Sequence, residues 1–225
     1  MNIKRRKVQP LPGGKLPMEE LITRQEQFLK EQLRPLIDKA LNKEVALLFC
    51  DAVHPTHGFH QGYVYSSQPQ YVRTGQGRYR FNMYSAVDAI TKKLYTIYGG
   101  KYVNAQTVVK LFDFLKEHYP TKPLYIVMDN ARYQHCAYVK EQAKERQINL
   151  VFLPPYSPNL NIIERLWKFM KKQVLSAKCY ACREDFEKAF LSFLAKVENG
   201  EFAEKIYSLL SLNFQTLPML HFNPT

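Results

Sequence analysis

The chain has 225 residues, of which 46 % are hydrophobic and 13 % aromatic, so it is long enough for one well-packed domain and too apolar to be mainly disordered. Its 32 Lys and Arg against 20 Asp and Glu give a net charge of +12, which favours a polyanionic partner such as nucleic acid. Residues 1–182 have a net charge of +14 and residues 183–225 of −2. The C-terminal part is therefore not expected to bind the polyanion.

A membrane location is not expected, because no apolar run approaches the roughly 18–20 residues that span a bilayer. The basic N-terminus has no apolar stretch behind it either, so we expect a cytoplasmic protein. Four scattered cysteines are too few for a secreted disulfide scaffold, and reduced thiols are expected. Cys179 and Cys182 form one C-x-x-C, for which structural zinc is the weaker interpretation because no second Cys/His pair follows at finger spacing.

Residues 1–44 are predicted to form a basic arm and a helical entry segment. Apolar residues recur on one helical face between residues 17 and 41, and Pro35 predicts a break of this helix into two pieces. Residues 45–52 are a continuous apolar run that ends on one carboxylate, Asp51, which is typical of a buried strand. Two further runs, residues 81–90 and 93–100, predict a hairpin next to this strand.

From Asn104 onward, helical and strand patterns alternate. Asn104 can cap a helix that ends near Pro120, and residues 124–130 predict a strand that again ends on a carboxylate, Asp129. The remaining predictions are a helix at 136–147, a strand at 148–154 and helices at 162–175, 183–198 and 201–210. This order predicts an α/β fold: a mixed five-stranded sheet with helices on both faces, plus N- and C-terminal helices.

Three carboxylates are candidates for chemistry at one end of this sheet. Asp51 and Asp129 each stand where a strand ends, and Glu164 stands at the start of the helix after the last strand. Carboxylates brought together repel one another unless a cation lies among them, and hard oxygen ligands select Mg²⁺ or Mn²⁺. Two such ions activate an attacking oxygen and stabilise the leaving oxygen of a phosphodiester, which suits a basic protein with a nucleic-acid substrate.

Each carboxylate also has a structural interpretation. Asp51 could form a strand-end turn beside His54, and Asp129 with Asn130 could form an Asx turn. Asn161 and Glu164 have the N-x-x-E spacing of a capping box, in which Glu164 would only satisfy the helix N-terminus. Three separate turn devices are harder to reconcile with this order of elements than one shared site is.

Two strings resemble a known family: LYIVMDNARYQ, and LVFLPPYSPNLNIIERLWKFMKK, with 34 residues between Asp129 and Glu164. They resemble the catalytic domain of bacterial insertion-sequence transposases of the mariner superfamily, and LLFCDAVHPTHG resembles the first strand of that domain. The resemblance covers roughly residues 17–185. It implies a DDE enzyme with an RNase H-like, retroviral-integrase-like fold over residues 45–182, followed by a C-terminal helical extension, residues 183–225, packed on it.

The resemblance also implies the function and the site. Asp51, Asp129 and Glu164 would be the catalytic, metal-binding triad, with two Mg²⁺ ions per site that Mn²⁺ can replace. Such an enzyme hydrolyses a phosphodiester at the transposon end and joins the freed 3′-hydroxyl to target DNA. Its partners would be these DNAs and a second copy of the chain on DNA, at the nucleoid.

The chain departs from the family pattern at three positions and in one region. Ala52 and Gln134 stand where many members have an acidic residue and a histidine, and Ile162 stands where many have proline. Roughly 44 residues precede the first strand, too few for the family's helix-turn-helix region. Either a separate or frameshifted polypeptide supplies the region that recognises the transposon ends, or the protein is a remnant.

Two further groups of residues are candidates for DNA or metal contact. His54, His57 and His60 could ligate a metal, but a loop that contacts DNA or water near the site is the favoured interpretation. The helix after Glu164 has a basic side, which is either solvated or binds phosphate: Arg165, Lys168, Lys171 and Lys172.

Two other functions remain open at this point. A stand-alone nuclease of the same fold would cleave DNA without joining it. An inactive or repurposed DNA-binding remnant would bind DNA without needing Asp51 or a metal.

Overall fold

The computed structural model describes residues 17–58, 65–69, 71 and 79–214. His60 and the basic arm, residues 1–16, lie outside this part of the chain. The described residues form five strands, β1 (Ala46–Val53), β2 (Met83–Asp88), β3 (Leu94–Tyr98), β4 (Leu124–Met128) and β5 (Ile148–Phe152). Their helices are α1 (Met18–Phe28), α2 (Arg34–Leu41), α3 (Ala105–His118), α4 (Ala137–Glu145), α5 (Ile163–Val174), α6 (Arg183–Glu198) and α7 (Ala203–Leu209).

The five strands form one mixed sheet in the order β3-β2-β1-β4-β5. The hairpin β2-β3 is antiparallel and pairs antiparallel with β1, whereas β4 and β5 run parallel to β1. Helices between parallel strands cover the sheet, as expected for crossover connections. The predicted mixed five-stranded α/β sheet is confirmed, and β1, which ends near Asp51, is its central strand.

Alternation along β1 divides the hydrophobic core into two layers. Leu47 and Phe49 face a layer built with α1, α2, α5, α6 and α7, whereas Leu48 and Cys50 face a layer built with α3 and α4. Successive side chains of a strand point to opposite faces, so a continuous apolar run is what a strand covered on both sides requires. Asp51 follows the parity of Phe49 and points to the α5 side.

The N-terminal helix differs from the prediction at Pro35. The chain stays helical from Met18 to Leu41, and a π-helical turn at Leu29–Leu33 joins α1 to α2. Pro35 lies in the first turn of α2, after the wider turn. Because proline lacks an amide hydrogen, the helix loses one hydrogen bond there, and the π turn accommodates the loss without ending the helix.

The C-terminal helices α6 and α7 complete the layer on the α5 side. Phe186, Phe190 and Ile206 belong to the same buried cluster as Phe49 and Trp167. Within the described residues, no helix is long and apolar enough to cross a bilayer.

Candidate active site

Asp51 lies near the end of the central strand, where it pairs with Ser85 of β2. The indole Nε1 of Trp167, on α5, donates a hydrogen bond to its Oδ2 at 3.1 Å. The pKa of Asp51 is raised to about 8, chiefly by burial and also by the neighbouring charges of Glu164 and Asp129, against the opposing effect of hydrogen bonds from the Ala52 backbone and Trp167. A proton or a bound cation would therefore relieve the unfavourable electrostatic environment of the Asp51 carboxylate.

Asp129 follows directly after β4, as predicted, and its side chain is exposed. Its Oδ1 accepts a hydrogen bond from the Ala131 amide at 2.9 Å, so the Asx turn is present as well. The turn engages only Oδ1 of Asp129, so Oδ2 is not restrained by it. The turn and a role in the site are thus compatible.

Glu164 lies in the first turn of α5 and is partly buried. The capping-box interpretation is wrong, because no side chain caps this helix. The Asn161 Nδ2 instead donates to the backbone carbonyl of Cys50 on β1, at 3.1 Å. Asn161 therefore ties the start of α5 to the strand that carries Asp51.

The structure brings the three carboxylates to one pocket. Asp51, Asp129 and Glu164 line a pocket of about 260 Å³, together with Asn161 and the loop at residues 153–158. The three acids come from the ends of β1 and β4 and from the start of α5. The pocket combines oxygen donors from three elements at the edge of the sheet where parallel strands end.

The donor set fits a hard divalent cation. Carboxylate oxygens are the ligands that Mg²⁺ and Mn²⁺ prefer, and a cation would relieve the repulsion that raises the pKa of Asp51. Among the described residues, however, no three His, Cys, Asp or Glu side chains are already gathered as tightly as a metal cage requires. Binding of a metal by Asp51, Asp129 and Glu164 would therefore require their side chains to rearrange.

The loop at residues 153–158 is fixed from two sides. The Asn130 Nδ2 donates to the Leu153 carbonyl, and the Nε2 of Gln25, on α1, donates to the Tyr156 carbonyl. Tyr156 has a φ of 57°, a left-handed conformation that a non-glycine residue adopts only when its surroundings hold it there. The wall of the acidic pocket is therefore set in part by the N-terminal helix.

Sequence reasoning assigned no site role to Trp167, Asn161 or Gln25. Trp167 is a core residue, 2 % exposed, and its indole also contacts Asp51. The signal for Trp167 was its position three residues after Glu164, which places both side chains on one side of the helix. Nothing local marked Gln25, which is polar on an otherwise apolar helical face.

The histidines do not converge. His54 Nδ1 is 2.7 Å from Asn82 Oδ1, whereas His57 Nε2 is 3.0 Å from the Tyr180 carbonyl. His60 lies outside the described residues, and the part of the chain that the structure covers has no histidine metal cluster. All four cysteines are free.

The basic residues of α5 fall into two groups. Arg165 is partly buried, and its guanidinium donates to the backbone carbonyls of Leu209, Ser211 and Asn213. Lys168, Lys171 and Lys172 are exposed. Lys171 and Lys172 also line a groove of about 460 Å³ with His54.

Comparisons with known proteins place this site in a family context. The family model described as DDE superfamily endonuclease matches residues 46–187, which include all three carboxylates. No curated protein matches the chain in sequence.

Solved structures with a similar fold include the catalytic domain of Mos1 mariner transposase, with a TM-score of 0.60 and 14 % identity over 88 % of this chain and 91 % of that chain. The Mos1 mariner paired end complex with Mn has a TM-score of 0.65 and 16 % identity over 93 % of this chain. The Mos1 strand transfer complex has a TM-score of 0.60 at the same identity. The chain spans 64 % of the length of the chains in these two complexes. The similarity confirms the RNase H-like fold.

Proposed function

The chain belongs to the DDE superfamily endonucleases, and on this basis we propose that it is the catalytic domain of a DNA transposase, with Asp51, Asp129 and Glu164 as its metal-binding triad. One observation carries the proposal: three acids from three elements line a single pocket, and their proximity adds to burial in raising the pKa of Asp51. An ordinary set of turn or capping carboxylates has no reason to converge in this way.

Two divalent cations, Mg²⁺ or Mn²⁺, would supply activation of the attacking oxygen and stabilisation of the leaving oxygen at this site. Asp51 and Asp129 would hold the ions, and Glu164 would complete the second position. The rigid central strand and the anchored start of α5 orient these side chains. The same carboxylates would serve hydrolysis at the transposon end and attack of the freed 3′-hydroxyl on target DNA.

Lys168, Lys171 and Lys172 are proposed to contact DNA phosphates. They are exposed on the helix that begins with Glu164, so bound phosphates would lie beside the acidic pocket. Phosphate contacts position a duplex without reading its sequence. Arg165, which is engaged with the C-terminal segment, is not needed for this role.

The wider context is also a proposal. The strings around Asp129 and Glu164 support a bacterial insertion-sequence origin, with action at the nucleoid. The paired end complex of Mos1 supports assembly of two copies on DNA ends. A helix-turn-helix segment outside these 225 residues, on a separate or frameshifted polypeptide, would recognise those ends.

The test is DNA cleavage and joining by Asp129→Asn and Glu164→Gln variants with Mg²⁺ or Mn²⁺. The substrate is pre-nicked DNA carrying the inverted repeats that flank the gene. Each variant should lose about 100-fold or more in rate, since even outer-shell partners of metals cost 10- to 100-fold. Asp113→Asn and Glu198→Gln are matched controls, because both residues are exposed and neither lines the pocket, and they should keep the wild-type rate.

The outcomes separate the candidate functions. Cleavage without joining, and without dependence on inverted repeats, would identify a stand-alone nuclease. DNA affinity that is unchanged by metal chelation and by Asp51→Ala would identify an inactive or repurposed remnant. Undiminished strand transfer by Glu164→Gln would refute the triad.

A further inference from the structure

We propose that Trp167 is a positioning residue of the acidic pocket, which fixes Asp51 through its indole N–H and so sets the affinity of the site for a divalent cation. The inference rests on the proposed function, because it takes Asp51 to be a metal ligand. It adds a residue that is neither acidic nor at the end of a strand.

The contact is specific in its geometry. The Trp167 Nε1 lies 3.1 Å from Asp51 Oδ2, between residues 116 positions apart in the sequence. An indole has one donor and no acceptor, so it can only orient the carboxylate by donating to it. An ionised carboxylate has about four lone-pair positions, so the hydrogen bond to Oδ2 leaves acceptor capacity for a cation.

The chain around Glu164 contacts β1 at two points, one just before α5 and one within it. Asn161 binds the Cys50 carbonyl three residues before Glu164, and Trp167 binds Asp51 three residues after it. Residues three apart lie on one face of a helix. The side of α5 that carries Glu164 is therefore also the side that contacts Asp51 through Trp167, while Asn161 holds the segment just before the helix against Cys50.

Burial makes Trp167 a rigid restraint. The side chain is 2 % exposed and belongs to the cluster that includes Phe49 and Met170, so its ring cannot follow a displaced carboxylate. A carboxylate that the chain already orients loses less conformational freedom when it binds a metal. Outer-shell partners of this kind typically change metal affinity or activity by 10- to 100-fold.

The alternative is that Trp167 only fills space in the core. Packing and hydrogen bonding can be separated here, because this is the one tryptophan of the chain. Biosynthetic replacement of tryptophan by 3-benzothienylalanine therefore changes this side chain alone, keeping a similar ring shape and removing the N–H. Trp167→Phe removes the same donor with some loss of volume.

The experiment measures Mn²⁺ binding to the full chain, by the electron paramagnetic resonance signal of free Mn²⁺, together with thermal unfolding of the metal-free proteins. Wild type, Asp129→Asn, Trp167→Phe and the benzothienylalanine protein are compared. Phe169→Leu is the control. Phe169 is on α5, like Trp167, but its ring packs on Phe193 and Phe202 without contacting Asp51. Mg²⁺-dependent cleavage is then followed as a function of metal concentration.

We expect the benzothienylalanine protein and Trp167→Phe to bind Mn²⁺ about 10-fold or more weakly than wild type. The benzothienylalanine protein should unfold at a higher temperature than Trp167→Phe, because it keeps the ring volume and loses only the hydrogen bond. Cleavage should recover at saturating metal, so that the metal concentration for half-maximal rate rises more than kcat falls. Phe169→Leu should lower the unfolding temperature without changing Mn²⁺ affinity.

Two results would overturn the inference, and they differ in what else they overturn. If wild type binds Mn²⁺, Asp129→Asn does not, and the benzothienylalanine protein binds like wild type, then Trp167 is only a core residue and the triad stands. If wild type and Asp129→Asn bind Mn²⁺ equally, the metal site itself is absent, and the proposed function fails together with the role of Trp167.

Discussion

Gln25 and Tyr156 are joined by a hydrogen bond across 131 residues of sequence, from the Gln25 Nε2 to the Tyr156 carbonyl at 3.3 Å. The Gln25 Oε1 accepts from Asn159 Nδ2 at 2.9 Å, so one buried amide holds two points of the segment that borders the acidic pocket. Gln25 belongs to α1, outside the region that the DDE family model matches. The N-terminal helix therefore supports the loop that forms one wall of the acidic pocket.

Replacement of this amide is expected to loosen the pocket. Gln25→Ala should lower the free energy of unfolding by about 1–3 kcal/mol, because it removes two hydrogen bonds, to the Tyr156 carbonyl and from Asn159, each worth about 0.5–1.5 kcal/mol. It should also lower the cleavage rate, since Tyr156 keeps its left-handed conformation only under restraint. Gln27→Ala, an exposed change on the same helix, is the control, and calorimetric unfolding with a cleavage assay measures both effects. An activity loss in Gln27→Ala of equal size would contradict this interpretation.

The raised pKa of Asp51 predicts how stability depends on pH. The folded state holds a proton on Asp51 up to about pH 8, whereas the unfolded state loses it near 3.8. Between these values the folded state binds more protons, so the contribution of Asp51 to stability falls as pH rises through this window. Asp51→Asn carries no titrating group and keeps an oxygen that can accept from Trp167.

Relative to wild type without metal, Asp51→Asn should therefore gain stability between about pH 5 and about pH 8, by about 1 kcal/mol or more, equal to about 2–4 °C in unfolding temperature. Mg²⁺ at pH 8 should raise the unfolding temperature of wild type and not of Asp51→Asn. Parallel pH profiles of the two proteins in thermal scans would show that Asp51 does not titrate in this range.

The exposed lysines predict a change in the salt dependence of DNA binding. Lys171→Ala combined with Lys172→Ala should reduce the slope of log K against log salt by about 2, because each phosphate contact contributes about 0.9. Titration of fluorescent duplex DNA at several salt concentrations measures this slope. Lys110→Ala with Lys144→Ala removes the same charge from α3 and α4, on the other side of the sheet, and should leave the slope near its wild-type value. Equal slopes in the two double variants would show that the change depends on net charge and not on phosphate contacts at Lys171 and Lys172.

Substitution of Arg165 should affect the stability of the fold, whereas substitution of Lys168 should affect DNA binding. Arg165→Ala should destabilise the fold by about 1–3 kcal/mol and speed proteolysis of the C-terminal segment, because carbonyls of Leu209, Ser211 and Asn213 lose their donor. Lys168→Ala should leave unfolding unchanged and weaken DNA binding. Limited proteolysis and DNA titration of both variants make the comparison, and a stable Arg165→Ala with weakened DNA binding would reverse the assignment.

The fold was predictable because its signals are local. The strand and helix patterns placed α6 at 183–198 and β4 at 124–128 within a residue or two, and the apolar run of β1 indicated a strand covered on both faces. Asn104 caps α3 as its position indicated, with Thr107 reciprocating. The predicted break at Pro35 follows from the rule that proline interrupts an α-helix. In the structure a π-helical turn at Leu29–Leu33 accommodates the proline, and the chain stays helical.

The supporting contacts of the site were not predictable, because they join distant parts of the chain. The sequence places Asp51, Asp129 and Glu164 at the ends of elements, but it does not show that Trp167 donates to Asp51 or that Gln25 binds the Tyr156 carbonyl. Periodicity reports which face of a helix is buried and not which buried atom finds a polar partner. A buried Trp or Gln is consistent with many such partners until the packing is known.

The place of β1 in the sheet determines when the acidic pocket can come into existence during synthesis. β1 is made first but lies between β2 and β4, and Glu164 follows only after all five strands. A nascent or truncated chain that stops before Asn161 has two of the three acids and lacks the contacts of both Asn161 and Trp167 with β1. The acidic pocket, and with it the proposed cutting activity, therefore requires synthesis of the chain through α5.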